Sequence, residues 1–275
     1  MPKNNSNNET PMEKLLTLAG DSLLDYLAAA AREQSLNNVD TLFGKKDEEI
    51  IPTFNLLGPT LERRKKYLQI ALNNGLIEAR EIISQLPQSE KILIEVGTPM
   101  IKIYGLRAIR EIKMLSPESY IVADAKVADL AEREVALLAG AGANAATCLG
   151  VAPLETIEEF INACENYKID SMLDMMNVES SIAVLKKLKK LPSVVILHRG
   201  VDETEFSKEK VIPYYQIKQI KGRFNLMVSV AGGDTPLEIQ SAFFNDADIV
   251  VVWKNFMQAD ESIGQLADSF LKEIR

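Results

Sequence analysis

Asp124, Lys126 and Asp129 stand as D-x-K-x-x-D at the end of the apolar run Ile121-Val122-Ala123. In an extended strand, residues two apart share a face, so Asp124 and Lys126 are predicted to point the same way. Asp129 lies just beyond, where a helix is predicted to begin. With Glu132 three residues on, it also has the pattern of a helix N-cap. Charges at the end of a buried strand are costly unless they pair or do chemistry. Flanking carboxylates keep a lysine protonated, which suits it to stabilise a developing oxyanion better than to act as a base. The bland alternative is that Lys126 only neutralises its neighbours.

Other residues of the same kind occur elsewhere. Glu95 follows Ile92-Leu93-Ile94, and with Asp124 it can hold a hard cation such as Mg²⁺, which takes oxygen ligands and keeps several waters. Otherwise it is a partly exposed strand end. His198 is the only histidine in 275 residues and stands at a strand end before Arg199-Gly200. Its ordinary pKa suits proton transfer near neutrality, although a lone histidine can equally be a satisfied core residue. Gly232-Gly233, before Asp234-Thr235, has the form of a phosphate cradle, exposing backbone N–H groups beside a helix start, or of a tight turn. A cation on two carboxylates, a protonated lysine and a histidine together suit enediolate formation from a phosphorylated sugar. That chemistry serves an isomerase, an aldolase or a decarboxylase.

The elements that must position these groups repeat from Tyr67 onward as an apolar run, a turn and an amphipathic helix. Strands are predicted at Tyr67–Asn73, Ile92–Val96, Tyr120–Asp124, Ala143–Leu149, Ser171–Asp174, Val194–His198, Leu226–Val230 and Ile249–Trp253. Helices are predicted near 76–86, 105–115, 129–140, 154–166, 179–190, 208–220, 235–245 and 259–274. The strands are almost continuously apolar, as strands covered on both faces must be. Eight such units fit an α/β fold of the closed (β/α)8 TIM barrel type over residues 67–275. No Gly-x-Gly-x-x-Gly follows the first strand to favour an open dinucleotide-binding sheet. The strand ends then bring Asn73, Glu95, Asp124, Lys126, Asp174, His198, Gly232-Gly233 and Trp253-Lys254 to one mouth. Residues 1–66 form an N-terminal extension: an asparagine-rich disordered start, a helix over about 11–34, and irregular chain over about 40–60.

A net charge of −8 gives no support for nucleic-acid or anionic-membrane binding, which need a basic face. No apolar run reaches the roughly 20 residues that span a bilayer. Two cysteines, Cys148 and Cys164, argue against a disulfide scaffold and fit a reducing compartment, so a cytoplasmic location is expected.

The D-x-K-x-x-D of Asp124, Lys126 and Asp129 resembles that of the orotidine monophosphate decarboxylase superfamily. Ile94-Glu95-Val96-Gly97-Thr98-Pro99 resembles the second-strand motif of its 3-hexulose-6-phosphate synthase and 3-keto-L-gulonate-6-phosphate decarboxylase branches. Asp174 where the decarboxylases have glutamate, His198-Arg199-Gly200-Val201-Asp202 without the decarboxylase arginine at Val201, and Ala231 before the glycine pair are similar to the synthase branch. The resemblance implies that Glu95 and Asp124 bind Mg²⁺, Lys126 stabilises the enediolate and His198 handles the proton. It further implies a homodimer in which Asp129 reaches the neighbour's site, and a reaction that joins formaldehyde to ribulose 5-phosphate. Asn73, Asp174, Gly232, Gly233 and Lys254 are then substrate-binding. The chain departs from the pattern at Asn73, where aspartate is usual, which takes an anionic neighbour from Lys126. It departs again at Trp253-Lys254, where Gly-Arg or Gly-Gly grips phosphate. These departures keep two alternatives in view: a decarboxylase-like activity, and a divergent non-catalytic barrel with a binding role.

Overall fold

A computed structural model describes residues 60–200, 202, 213–232, 236–253 and 263–273. The predicted helix at 11–34, the irregular stretch at 40–60 (apart from Thr60) and the disordered start lie outside these residues, as do Gly233 and Lys254.

Eight parallel strands, each hydrogen-bonded to the next and β8 to β1, close into a barrel: β1 Tyr67–Leu72, β2 Ile92–Val96, β3 Tyr120–Val127, β4 Ala145–Leu149, β5 Asp170–Asp174, β6 Val194–His198, β7 Met227–Ala231 and β8 Ile249–Val252. Helices on the outside are α1 Leu76–Gln85, α2 Thr98–Tyr104, α3 Leu106–Leu115, α4 Ala131–Gly140, α5 Leu154–Asn166, α6 Ser181–Leu185, α7 Tyr214–Lys221, α8 Pro236–Phe244 and α9 Ile263–Glu273. Among the described residues no helix is long and apolar enough to cross a membrane. The (β/α)8 architecture read from the repeat is the observed one.

Alternation along each strand divides the core in two. Outward residues such as Leu68, Ile70, Ile94, Val195 and Val250 pack under the helices with Ile109, Ile112, Phe160 and Phe270. In α3 the buried Ala108, Ile109 and Ile112 lie at helical spacing, so one stripe faces the sheet. Inward residues fill the barrel. The register stacks them in layers of four from alternate strands. Gln69, Val122, Met172 and Ser229 form a middle layer; Glu95, Thr147, Ile196 and Val251 lie above it, and Ala71, Asp124, Asp174 and Ala231 above those. The interior therefore becomes polar towards the C-terminal mouth.

Several local expectations need correction. The helix predicted near 105–115 is observed as α3, but it is preceded by an unpredicted helix, α2, the two meeting at Gly105 with φ 60°. Pro99 in the first turn of α2 is the start signal that the reading missed. The helix predicted over 179–190 stops at Leu185, because Lys186, Lys187, Lys189 and Lys190 place like charges at helical spacing. Asp129 is not an N-cap. The residue before α4 is Leu130, at φ 49°, with no side-chain cap, and Asp129 Oδ1 instead accepts the Leu130 N–H at 2.9 Å.

β3 runs through Lys126 and carries an irregularity. Ala123 pairs with Ala146 but Val127 pairs with Cys148, so four steps on β3 match two on β4. Lys126 takes φ 50° there, a left-handed conformation that costs a non-glycine residue about 1 kcal/mol. Regular alternation was the reason given for pairing Asp124 with Lys126. They do pair, at 3.2 Å, but through this distorted backbone.

Candidate active site

Asp124, at the end of the regular part of β3, is held on both oxygens. Thr147 donates to Oδ1 at 2.8 Å and Thr98 donates to Oδ2 at 2.8 Å. The Thr147 hydroxyl also accepts the Lys126 N–H at 2.9 Å, so one side chain on β4 pins both the aspartate and the strained backbone beyond it. The Lys126 ammonium lies 3.2 Å from Asp124 Oδ1 and 2.9 Å from Asp174 Oδ2. Burial opposes its charge, but the carboxylates of Asp124 and then Asp174 outweigh burial and hold its pKa above the ordinary lysine value. Lys126 is an ammonium at neutral pH. Asn73 lines the same cavity, and Asp174 supplies the second carboxylate beside Lys126.

Asp174 is 1% exposed on its side chain and has three donors: Lys126 Nζ, the Met176 N–H at 2.9 Å to Oδ1, and His198 Nδ1 at 2.8 Å to Oδ2. Burial alone would raise its pKa. The bond and charge of His198, followed by Lys126, reverse this and hold the carboxyl at about 2. His198 moves the opposite way: burial lowers it, and the Asp174 bond and charge raise it above the ordinary histidine value. The pair fixes the ring through Nδ1 and leaves Nε2 for the cavity. These three groups make Asp174 a brace for Lys126 and His198, and it also lines the cavity where a substrate contact is expected of it.

Glu95 is buried, and its Oε2 accepts from Gln69 Nε2. Burial first, and then the nearby charge of Asp124, push its carboxyl up to about 7. Two carboxylates that repel each other in a buried site are what a divalent cation relieves. Among the described residues no third histidine, cysteine, aspartate or glutamate joins them as a ligand group. Two carboxylates with water suit Mg²⁺, and the residues present fit it.

These groups open onto one cavity of about 420 Å³, lined by Asn73, Glu95, Asp124, Lys126, Asp174, His198 and Gly232 among others. Seven predicted residues are thereby brought together. Asp129 is not among them: it is exposed and outside the cavity. Trp253 lines the cavity on the β8 side. Gly232, at φ 94°, lies so close to Arg199 that a Cβ there would strike the Arg199 carbonyl oxygen, and Arg199 Nη2 donates to the Gly232 carbonyl at 2.8 Å. Gly97 admits the Asn73 side chain in the same way, since a Cβ would lie 2.9 Å from Asn73 Cγ. Gln69, Thr98 and Thr147 were missed by the sequence reading. Gln69 and Thr147 carried a usable signal, being polar residues at inward positions of otherwise apolar strands; Thr98 follows Gly97 at the start of α2.

Residues 66–263 match the Orotidine 5'-phosphate decarboxylase / HUMPS family. The chain belongs to this family. It is 33% identical over 253 residues to the "Bifunctional enzyme Fae/Hps" of Methanothrix thermoacetophila, covering 90% of this chain and 62% of that protein. The protein of the same description from Archaeoglobus fulgidus is 35% identical over 244 residues, covering 86% of this chain and 60% of that protein. The chain thus spans about three fifths of the length of these relatives. Among solved structures, the 3-hexulose-6-phosphate synthase from Salmonella typhimurium superposes with a TM-score of 0.69 at 28% identity, covering 76% of this chain and 98% of that one.

Proposed function

We propose that this barrel is an aldehyde-lyase of the hexulose-phosphate synthase type, joining formaldehyde to ribulose 5-phosphate through an enediolate with the help of Mg²⁺. The observation that carries the proposal is the bracing of one protonated lysine by Asp124 and Asp174, beside a histidine fixed by the same Asp174. A bound Mg²⁺ on Glu95 and Asp124 would supply Lewis-acid stabilisation of a substrate oxygen. The remaining work falls to the chain itself. Lys126 stabilises the oxyanion that develops when C1 of the sugar phosphate loses its proton, since its charge is in place before the reaction begins. His198 moves that proton and returns one to the alkoxide formed when the C1 carbanion adds to formaldehyde. Asp174 keeps both groups in register.

The assembly we infer is a homodimer, supported by the exposed Asp129 with exposed Leu130 and Leu137 close by on the chain. The buried free thiols of Cys148 and Cys164 support a reducing, cytoplasmic setting. The reaction is tested by following formaldehyde-dependent consumption of ribulose 5-phosphate with Mg²⁺ present. Failure of the unsubstituted protein to turn over, or release of CO₂ from 3-keto-L-gulonate 6-phosphate instead, would overturn the assignment. Mixing Lys126→Ala with Asp129→Ala chains tests the dimer: activity returns if Asp129 serves a neighbouring site and stays absent otherwise.

A further inference from the structure

We propose that Gln69 is a positioning residue for Glu95, its amide fixing the carboxylate and so setting the affinity of the site for a divalent cation. The inference rests on the reading of Glu95 and Asp124 as cation ligands.

Gln69 is 1% exposed, near the middle of β1, a strand whose other five residues are Tyr67, Leu68, Ile70, Ala71 and Leu72. It faces inward from the layer directly beneath Glu95, and its Nε2 donates to Glu95 Oε2. The other half of the amide has no such use. Gln69 Oε1 is buried without a hydrogen-bond partner among the described residues, and so is the hydroxyl of Ser229, in the same layer. The remaining two members of that layer are Val122 and Met172, both 0% exposed.

A buried polar atom without a partner costs free energy, and an apolar side chain of similar size would fill the layer without that cost. Packing therefore gives no reason for a glutamine here. The satisfied half of its amide gives one, because a carboxylate tied through one oxygen presents the other in a fixed orientation. Partners behind metal ligands commonly account for 10- to 100-fold in metal affinity. Gln69 also borders the cavity itself, so its amide and the ligand carboxylate share one wall.

The test is titration of Mn²⁺ into the full chain, followed by electron paramagnetic resonance, with thermal unfolding in EDTA alongside. Gln69→Met should weaken Mn²⁺ binding by about 10- to 100-fold while Tm without metal stays level or rises. Ser229→Ala, in the same layer but without a contact to Glu95, should leave Mn²⁺ binding unchanged. Unchanged affinity in Gln69→Met would overturn the inference. So would a fall in Tm or a failure to fold, which would make the amide a structural group, and so would equal weakening by Ser229→Ala. If the unsubstituted chain binds no Mn²⁺, the cation reading of Glu95 and Asp124 fails first and takes this inference with it.

Discussion

Two charge clusters lie at opposite ends of the barrel, and they are built on different principles. At the base, Asp248 is 3% exposed; its Oδ2 accepts the Val228 N–H at 2.8 Å and its Oδ1 accepts Lys221 Nζ at 2.8 Å. Lys66 and Lys221 both reach Asp246, at 2.8 and 2.9 Å, and donate in addition to the carbonyls of Ala247 and Asp246. Two lysines meet two aspartates, and the cluster is closed. At the mouth, Glu95, Asp124 and Asp174 face one lysine and one histidine around an open cavity. Glu95 is pushed up to about 7 there by burial and then by the charge of Asp124. A buried carboxylate alone does not mark a site, since Asp248 is 3% exposed at the base and Glu95 is 8% exposed at the mouth. What distinguishes the mouth is charge crowded beside a space that a ligand can enter.

Substitutions at the mouth and at the base should have different consequences. Lys126→Ala should have the largest effect, lowering kcat for the proposed reaction by about 10²- to 10³-fold or more, the usual result of removing one oxyanion stabiliser. Steady-state kinetics with Mg²⁺ checks this, and undiminished turnover would make the mouth as structural as the base. Asp174→Asn tests the brace through pH. Because the folded carboxyl is held at about 2, below its ordinary value of 3.8, its stabilisation is present above pH 4 and is lost as pH falls towards 2. Urea unfolding should show the native chain losing on the order of 2 kcal/mol across that window from this group, and the asparagine variant lacking that component. Asp248→Asn should cost about 1–3 kcal/mol in urea unfolding, because its single oxygen cannot serve both Lys221 and the Val228 N–H. Its kcat should be unchanged, which separates base from mouth. Lys189→Ala, which removes a surface pair with Glu158 in which the lysine side chain is 85% exposed, should leave both the urea midpoint and kcat unmoved.

The barrel was legible because its signal is redundant: eight apolar runs with helices between them constrain one another, so an error of two or three residues at an element end does no harm. The charged residues at strand ends were legible for the same reason, since the fold fixes which end forms the site. The braces were harder to see. Asp174 belongs to Lys126 and His198 through distances across strands β3, β5 and β6, which spacing along the chain does not encode. Thr147 and Gln69 stand in runs that read as plain strand, and only their inward parity marks them. Asp129 misled because its N-cap pattern with Glu132 is local, while the strained turn at Leu130 starts the helix later.

The left-handed backbone at Lys126 has a further consequence for how this chain tolerates change. At φ 50° a glycine is comfortable and a lysine is not, so Lys126→Gly would relieve about 1 kcal/mol of backbone strain while removing the ammonium that Asp124 and Asp174 share. Stripping the ammonium from two largely buried carboxylates outweighs that relief, so stability does not press for glycine here. The conformation is thus a small standing strain, held in place by the ion pairs of the residue the proposed chemistry can least spare.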